Sequence, residues 1–249
     1  MGSGKYSALS GAIAREQAIS NVAANLANIN TSGYRRSQVS FASILSGEQQ
    51  AVQARGMNFT RINRNFSDFT AGPLRKTDDP LNFAIHGDGF FKIQGSGGPL
   101  LTRRGDFMIN AQGVLTTSNN QPVLDEGNNQ IILPDTDTGK VAADENGTLY
   151  VLDPQGARTE VGRLAVVTVA DKEQLQREAD TSFSLKEGAG ELPSTDCRVL
   201  QGSVELANVN MAGELAQMIN NYRTFETYHK VLKSYSTLGE VQEDLGTLG

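Results

Sequence analysis

The sequence predicts an α+β protein with a mainly antiparallel β central domain. Long N- and C-terminal α-helices are expected to pack as a coiled-coil-like bundle. Three observations carry this reading. Both ends show apolar residues at spacings of 3 and 4. The middle switches to period-2 alternation broken by Gly- and Asn-rich turns. No proline interrupts either terminal stretch.

The first element is expected as a helix over 1–32. Its apolar residues fall at Leu9 and Ile13, then at Ile19, Val22, Leu26 and Ile29, with a slip between Ile13 and Ile19. Thr31-Ser32-Gly33 supplies the stop, with Gly33 suited to a left-handed cap. Residues 33–74 are polar with scattered Phe and read as an extended connector without a core of their own. Residues 75–200 form the β-rich domain. Leu81, Phe83 and Ile85 alternate, and Phe91 with Ile93 resume after Gly87-Asp88-Gly89. Phe107 and Ile109 alternate before a turn ending at Gly113, and Asn146-Gly147 reads as a type I′ hairpin turn. Asp171–Glu178 is expected to hold one or two helical turns. The last segment, 201–249, returns to helical spacing with Leu215, Ile219, Tyr222, Leu232, Leu238, Val241 and Leu245.

Composition limits the function. With 38% apolar residues in 249, the chain has a real but modest core. One cysteine excludes an internal disulfide, and two histidines leave little for a triad or a histidine metal site. The first 66 residues carry seven Lys/Arg against two Asp/Glu, whereas the net charge of the whole is −6. Opposite signs at the two ends favour side-by-side packing over nucleic-acid binding. No apolar run is long enough to span a membrane, and Met1-Gly-Ser-Gly-Lys-Tyr lacks the apolar run of a signal peptide.

Enzymatic motifs are weak. Gly87-Asp88-Gly89 lacks the third glycine of a dinucleotide loop, so Gly87 and Gly89 read as turn residues. Asp135-Thr-Asp137-Thr-Gly139 approaches a calcium loop but has Asn146 where a bidentate Glu belongs. No catalytic residue, cofactor or metal ligand is assigned. An isolated helix is marginal in water, so the terminal stripes must be buried. Two outcomes stay open: the ends fold back onto the β domain, or they assemble with neighbouring chains in a bundle, which the length of both stripes favours.

Five stretches carry a resemblance. They are Asn25-Leu-Ala-Asn-Ile-Asn-Thr-Ser-Gly-Tyr-Arg-Arg36, Ala84-Ile-His-Gly-Asp-Gly-Phe-Phe91, Thr102-Arg-Arg-Gly-Asp-Phe107, Gln201-Gly-Ser-Val-Glu-Leu-Ala-Asn-Val-Asn210 and Arg223-Thr-Phe-Glu226. In this order they resemble the bacterial flagellar basal-body rod and hook proteins, and the short connector before Gly72 is most like a proximal rod member. The resemblance implies a structural, non-enzymatic subunit that polymerises with other rod proteins and with copies of itself in a helical assembly. It further implies export by the flagellar type III apparatus without a cleaved signal peptide, and a place in the periplasm-spanning rod. Carried onto this chain, the stripe residues named above become the assembly interface. Asn25, Asn28 and Asn30 become register residues that hydrogen-bond backbone or a partner helix.

Overall fold

The computed structural model describes residues 2–46, 57–134, 140–153, 157–179, 181–186, 188, 190–194 and 197–247, with side chains from 4 to 42 and 65 to 238 within those ranges. The Asp135–Gly139 loop lies outside them. The chain forms two compact units. One comprises residues 1–27, 37–68 and 209–249; the other comprises 28–36 and 69–208.

In the first unit, α1 (Gly2–Ala27) and α2 (Met211–Thr247) pair antiparallel. The 201–249 segment is not helical throughout, because Arg198–Gln201 and Ser203–Glu205 are strands. Asn210 caps α2: its side-chain oxygen accepts from the Gly213 amide at 3.0 Å. The seam differs from the apolar stripe read in the sequence. Every α2 residue between 214 and 238 that is not exposed falls at 214, 218, 221, 224, 225, 228, 232 or 235, a heptad pattern with one extra position. On α1 the matching positions are Gly4, Ala8, Gly11, Arg15, Ala18, Val22 and Asn25, none of them exposed. Tyr235 seats over Gly4 and Tyr228 over Gly11, so close that a Cβ on Gly4 would lie 2.4 Å from the Tyr235 hydroxyl and one on Gly11 2.5 Å from the Tyr228 ring. Small residues on one helix thus admit aromatic residues of the other. The pairing is a fit of sizes rather than of two greasy stripes.

Residues 33–74, expected as an extended connector with little core of its own, contain a long hairpin. Its strands are β1 (Ser37–Ser46) and β2 (Met57–Ser67), paired antiparallel with a bulge where Ser40 opposes Arg64 and Phe41 opposes Ile62. The hairpin packs on α1. Arg15 bridges the layers: its guanidinium lies 4.5 Å from the Phe41 ring centroid and donates to Asn221 at 3.1 Å.

The second unit is antiparallel β. Its largest sheet runs in the order Leu175–Arg177, Ser182–Leu185, Pro99–Thr102, Phe90–Gln94, Val166–Val169, Glu191–Pro193. Adjacent residues of Phe90–Gln94 point to opposite faces and serve two cores. Phe91 and Ile93 join Phe83, Phe107, Leu115 and Leu149, while Phe90 joins Leu101, Val169 and Phe183. Asp171–Glu178 holds only a single 3-10 turn at Lys172–Gln174 before returning to strand.

Four loops share one design. Asn110, Thr117, Asp125 and Asp144 each accept with a side-chain oxygen from amides two to four residues ahead. The residue three places on, Gly113, Asn120, Asn128 or Gly147, takes positive φ. Asn146 does not, so the Asn146-Gly147 loop is not the type I′ turn the dipeptide suggested. The side-chain cap of Asp144 prevails over the local dipeptide preference.

Gly33, at φ +69°, sits where a Cβ would lie 2.3 Å from the backbone nitrogen of Arg104. Gly33→Ala is expected to destabilise the β unit by about 3 kcal/mol in urea unfolding. A loss under about 0.5 kcal/mol would contradict the close backbone approach.

Candidate assembly surface and its anchors

The chain passes between the two units after residues 27, 36, 68 and 208. One asparagine on each side holds these crossings. In the β unit, Asn208 accepts from the Arg36 amide at 2.7 Å and donates to the Thr70 carbonyl at 2.9 Å and its hydroxyl at 3.1 Å. In the helical unit, buried Asn25 exchanges two bonds with the Ser37 backbone, at 2.8 and 2.9 Å, and donates to Glu214 at 3.1 Å. Asn21 adds a bond to the Ser37 hydroxyl at 2.9 Å. Gln38 reaches Asp68 at 3.3 Å, tying both ends of the hairpin.

Beneath Asn208 lies a buried charge cluster. Glu205, Arg35 and Arg103 are each under 5% exposed. Glu205 receives Arg35 at 2.7 Å, Arg103 at 3.2 Å and the Gly72 amide at 2.8 Å. Its backbone carbonyl accepts from Gly33 at 2.8 Å. Arg103 also donates to the carbonyls of Ile85 at 3.0 Å and Gly87 at 2.5 Å. Burial pulls the Arg103 guanidinium below its usual pKa, Arg35 adds to that, and Glu205 opposes it. Asp88 is held below the usual carboxyl value chiefly by a hydrogen bond from Lys172, with smaller help from Arg103 and Arg35. Positive φ at Gly87, +109°, turns its carbonyl to Arg103, while a Cβ at Gly89 would meet Val166 at 2.8 Å. These glycines support a structural cluster.

The stripe residues have several fates. Val22 is buried in the seam between the helices, and Leu232 is half-buried at a seam position. Both therefore belong within the chain rather than to an open surface. Ile19, Leu26 and Ile29 are half-buried, and Ile29 belongs to the β unit. Leu9, Ile13, Leu215, Ile219, Tyr222 and Leu238 are exposed, by 44–56%. The side chains of Val241 and Leu245 lie outside the described residues. Asn28 accepts from the Thr31 hydroxyl at 3.1 Å, and Asn30 is exposed; both line a polar cleft of about 420 Å³ with Arg104, Asp106 and Thr181. Glu205, Arg103 and Asn208 were missed as anchors in the sequence. The only signal was their place in the stretches 102–107 and 201–210.

No helix among the described residues is long and apolar enough to cross a membrane. A paired-helix unit that leaves large apolar side chains outside is built to be covered by other chains. Comparison with known proteins gives its kind. Residues 6–35 match the flagella basal body rod protein family, 84–151 the flagellar hook protein FlgE/F/G D1 domain, and 200–240 the flagellar basal body rod FlgEFG protein C-terminal family. The flagellar basal-body rod protein FlgF of Caulobacter vibrioides is 32% identical over 94% of this chain and 93% of its own length. FlgF of Rhizobium meliloti is 31% identical over 100% and 99%, and FlgG of Bacillus subtilis 26% over 98% and 97%. The chain belongs to the flagellar basal-body rod FlgEFG family: it is a structural rod protein, not an enzyme.

Removing the one acid of this cluster strands two guanidinium groups. Glu205→Gln is expected to cost about 3–5 kcal/mol of β-unit stability in chemical denaturation. A cost below about 1 kcal/mol would show that the cluster does not hold the β unit together.

Proposed function

We propose that this chain is a proximal rod subunit that polymerises with other rod proteins and with copies of itself through the outward apolar residues of its terminal helices. One observation carries this. Leu9, Ile13, Leu215, Ile219 and Tyr222 remain exposed after the two helices have paired and the hairpin has packed on α1. Uncovered large side chains on an ordered helix pair are the mark of an interaction surface. Each is worth about 1.5–3 kcal/mol when covered, so five or six suffice to drive association.

The proximal position is supported by FlgF relatives that align over nearly their whole length, and by a hairpin closed within residues 37–67. FlgG relatives of similar coverage make the distal rod the competing position. The chain reaches the periplasm-spanning rod through the flagellar type III export apparatus. A single unpaired cysteine suits threading as an unfolded chain.

Leu9→Asp with Ile219→Asp tests the surface, because both positions are exposed. In cells lacking the native copy, incorporation into purified basal bodies is expected to fall at least about tenfold. Circular dichroism and the thermal midpoint of the isolated protein should stay unchanged. Normal incorporation of the double variant would overturn the proposal.

A further inference from the structure

Thr102 ties together two walls of the polar cleft in the β unit. Its buried hydroxyl donates to the Thr181 carbonyl at 2.8 Å and accepts from the Arg104 amide at 3.1 Å. A third wall is the turn that follows α1, closed by bonds from the Thr31 amide and hydroxyl to the carbonyl and side chain of Asn28, both at 3.1 Å. A fourth is the loop capped by Thr117, which holds Asn119. The cleft measures about 420 Å³, and every residue lining it belongs to the β unit. That volume falls in the range of about 300–1,000 Å³ usual for small-ligand sites. Hydrogen bonds fix the walls beforehand, so a ligand entering the cleft has little of the protein to order.

The chemistry of the lining narrows what fits. Ala179 is its only apolar residue, so an aliphatic or aromatic ligand finds no surface to bury against. Arg104 and Asp106 are its only charged residues, and they neutralise each other. Arg104 donates from Nε at 2.7 Å and from Nη2 at 2.8 Å to the two carboxylate oxygens. Neither a phosphate nor an ammonium group meets an uncommitted counter-charge there.

What remains is a set of donors beside acceptors. The fork leaves Nη1 of Arg104 outside the pair, and each Asp106 oxygen keeps a further lone pair. Around them stand the exposed carboxamides of Asn30 and Asn119 and the hydroxyls of Ser32 and Thr181. A ligand hydroxyl both donates and accepts. Neighbouring ring hydroxyls can therefore donate to Asp106 and accept from Arg104 or an asparagine together, whereas a peptide N–H only donates and its carbonyl only accepts.

We infer that the cleft is a binding site for a neutral saccharide of one or two rings, held by Arg104, Asp106, Asn30 and Asn119. This site is separate from the exposed residues of the terminal helices, none of which lines it.

Saturation-transfer difference NMR on the full chain tests it. The probes are N,N′-diacetylchitobiose and maltose, with glucosamine and glucuronate as charged sugars and N-acetyl-triglycine amide as a neutral peptide. Saturable transfer to at least one of the two disaccharides is expected, with a dissociation constant on the order of 1 mM. Transfer to diacetylchitobiose alone would support an acetamido sugar, and transfer to both would support recognition through the hydroxyls. The charged sugars are expected to bind at least about tenfold more weakly. Asn30→Ala with Asn119→Ala is expected to weaken binding at least about tenfold at an unchanged thermal midpoint, because both side chains are exposed. Absence of saturable transfer to either disaccharide overturns the inference, as does undiminished binding by the double variant. Equal or tighter binding of a charged sugar, or transfer to the peptide in preference to the disaccharides, overturns it as well.

Discussion

A helix has a circumference, and one partner covers only part of it. In this chain α2 covers α1 along a seam of glycine, alanine and valine, and the hairpin 37–67 covers a second side. What is left over on α1 is Tyr6, Leu9 and Ile13; on α2 a longer row runs from Met211 to Tyr222. The close approach that Gly4 and Gly11 permit is what makes this division possible. Because the inner seam is filled by small residues meeting aromatic ones, the larger aliphatic side chains are free to face outward. The rest of the molecule keeps that arrangement in register.

Register is held by polar side chains at the places where the chain changes unit. Asn25 reads the Ser37 backbone as a neighbouring strand would, and at the same time bonds Glu214 at the root of α2. Asn208 repeats the device in the β unit, joining Arg36 to Thr70. Underneath it, Glu205 is paired with two arginines, and that attraction offsets the cost of burying the charges even though the Nε of Arg35 and of Arg103 has no hydrogen-bond partner. Satisfied polar groups in apolar surroundings stabilise little but permit few alternatives. That is the property needed where segments distant in sequence must leave a domain side by side.

The two long helices and the antiparallel middle were legible in the sequence because periodicity is a local signal. The seam was not. Hydropathy marks Leu9 and Ile13 and is silent on Gly4, Ala8 and Gly11, whose role comes from what is opposite them. The hairpin 37–67 was missed for a related reason: its Ser, Asn and Arg give no clean alternation, and its order comes from packing on α1. The turn at Gly147 was assigned from a dipeptide, whereas the Asp144 side chain set its type. Arg35, Arg103 and Glu205 are separated by up to 170 positions, so no window of sequence joins them. Asn25 stood out beforehand as a polar residue beside an apolar stripe, but its bond to Ser37 depends on the unforeseen hairpin.

Assembly through the helices requires the outward aliphatic and aromatic side chains to be open in one chain and closed among many. Hydroxyl-radical footprinting measures this directly, by comparing oxidation of Leu9, Ile13, Leu215, Ile219 and Tyr222 in the free protein and in purified basal bodies. Ready oxidation is expected in the free chain and strong protection at all five in the rod, with Phe91 and Leu149 protected in both. Equal labelling in the two states, or protection already complete in the free chain, would contradict assembly through the helices.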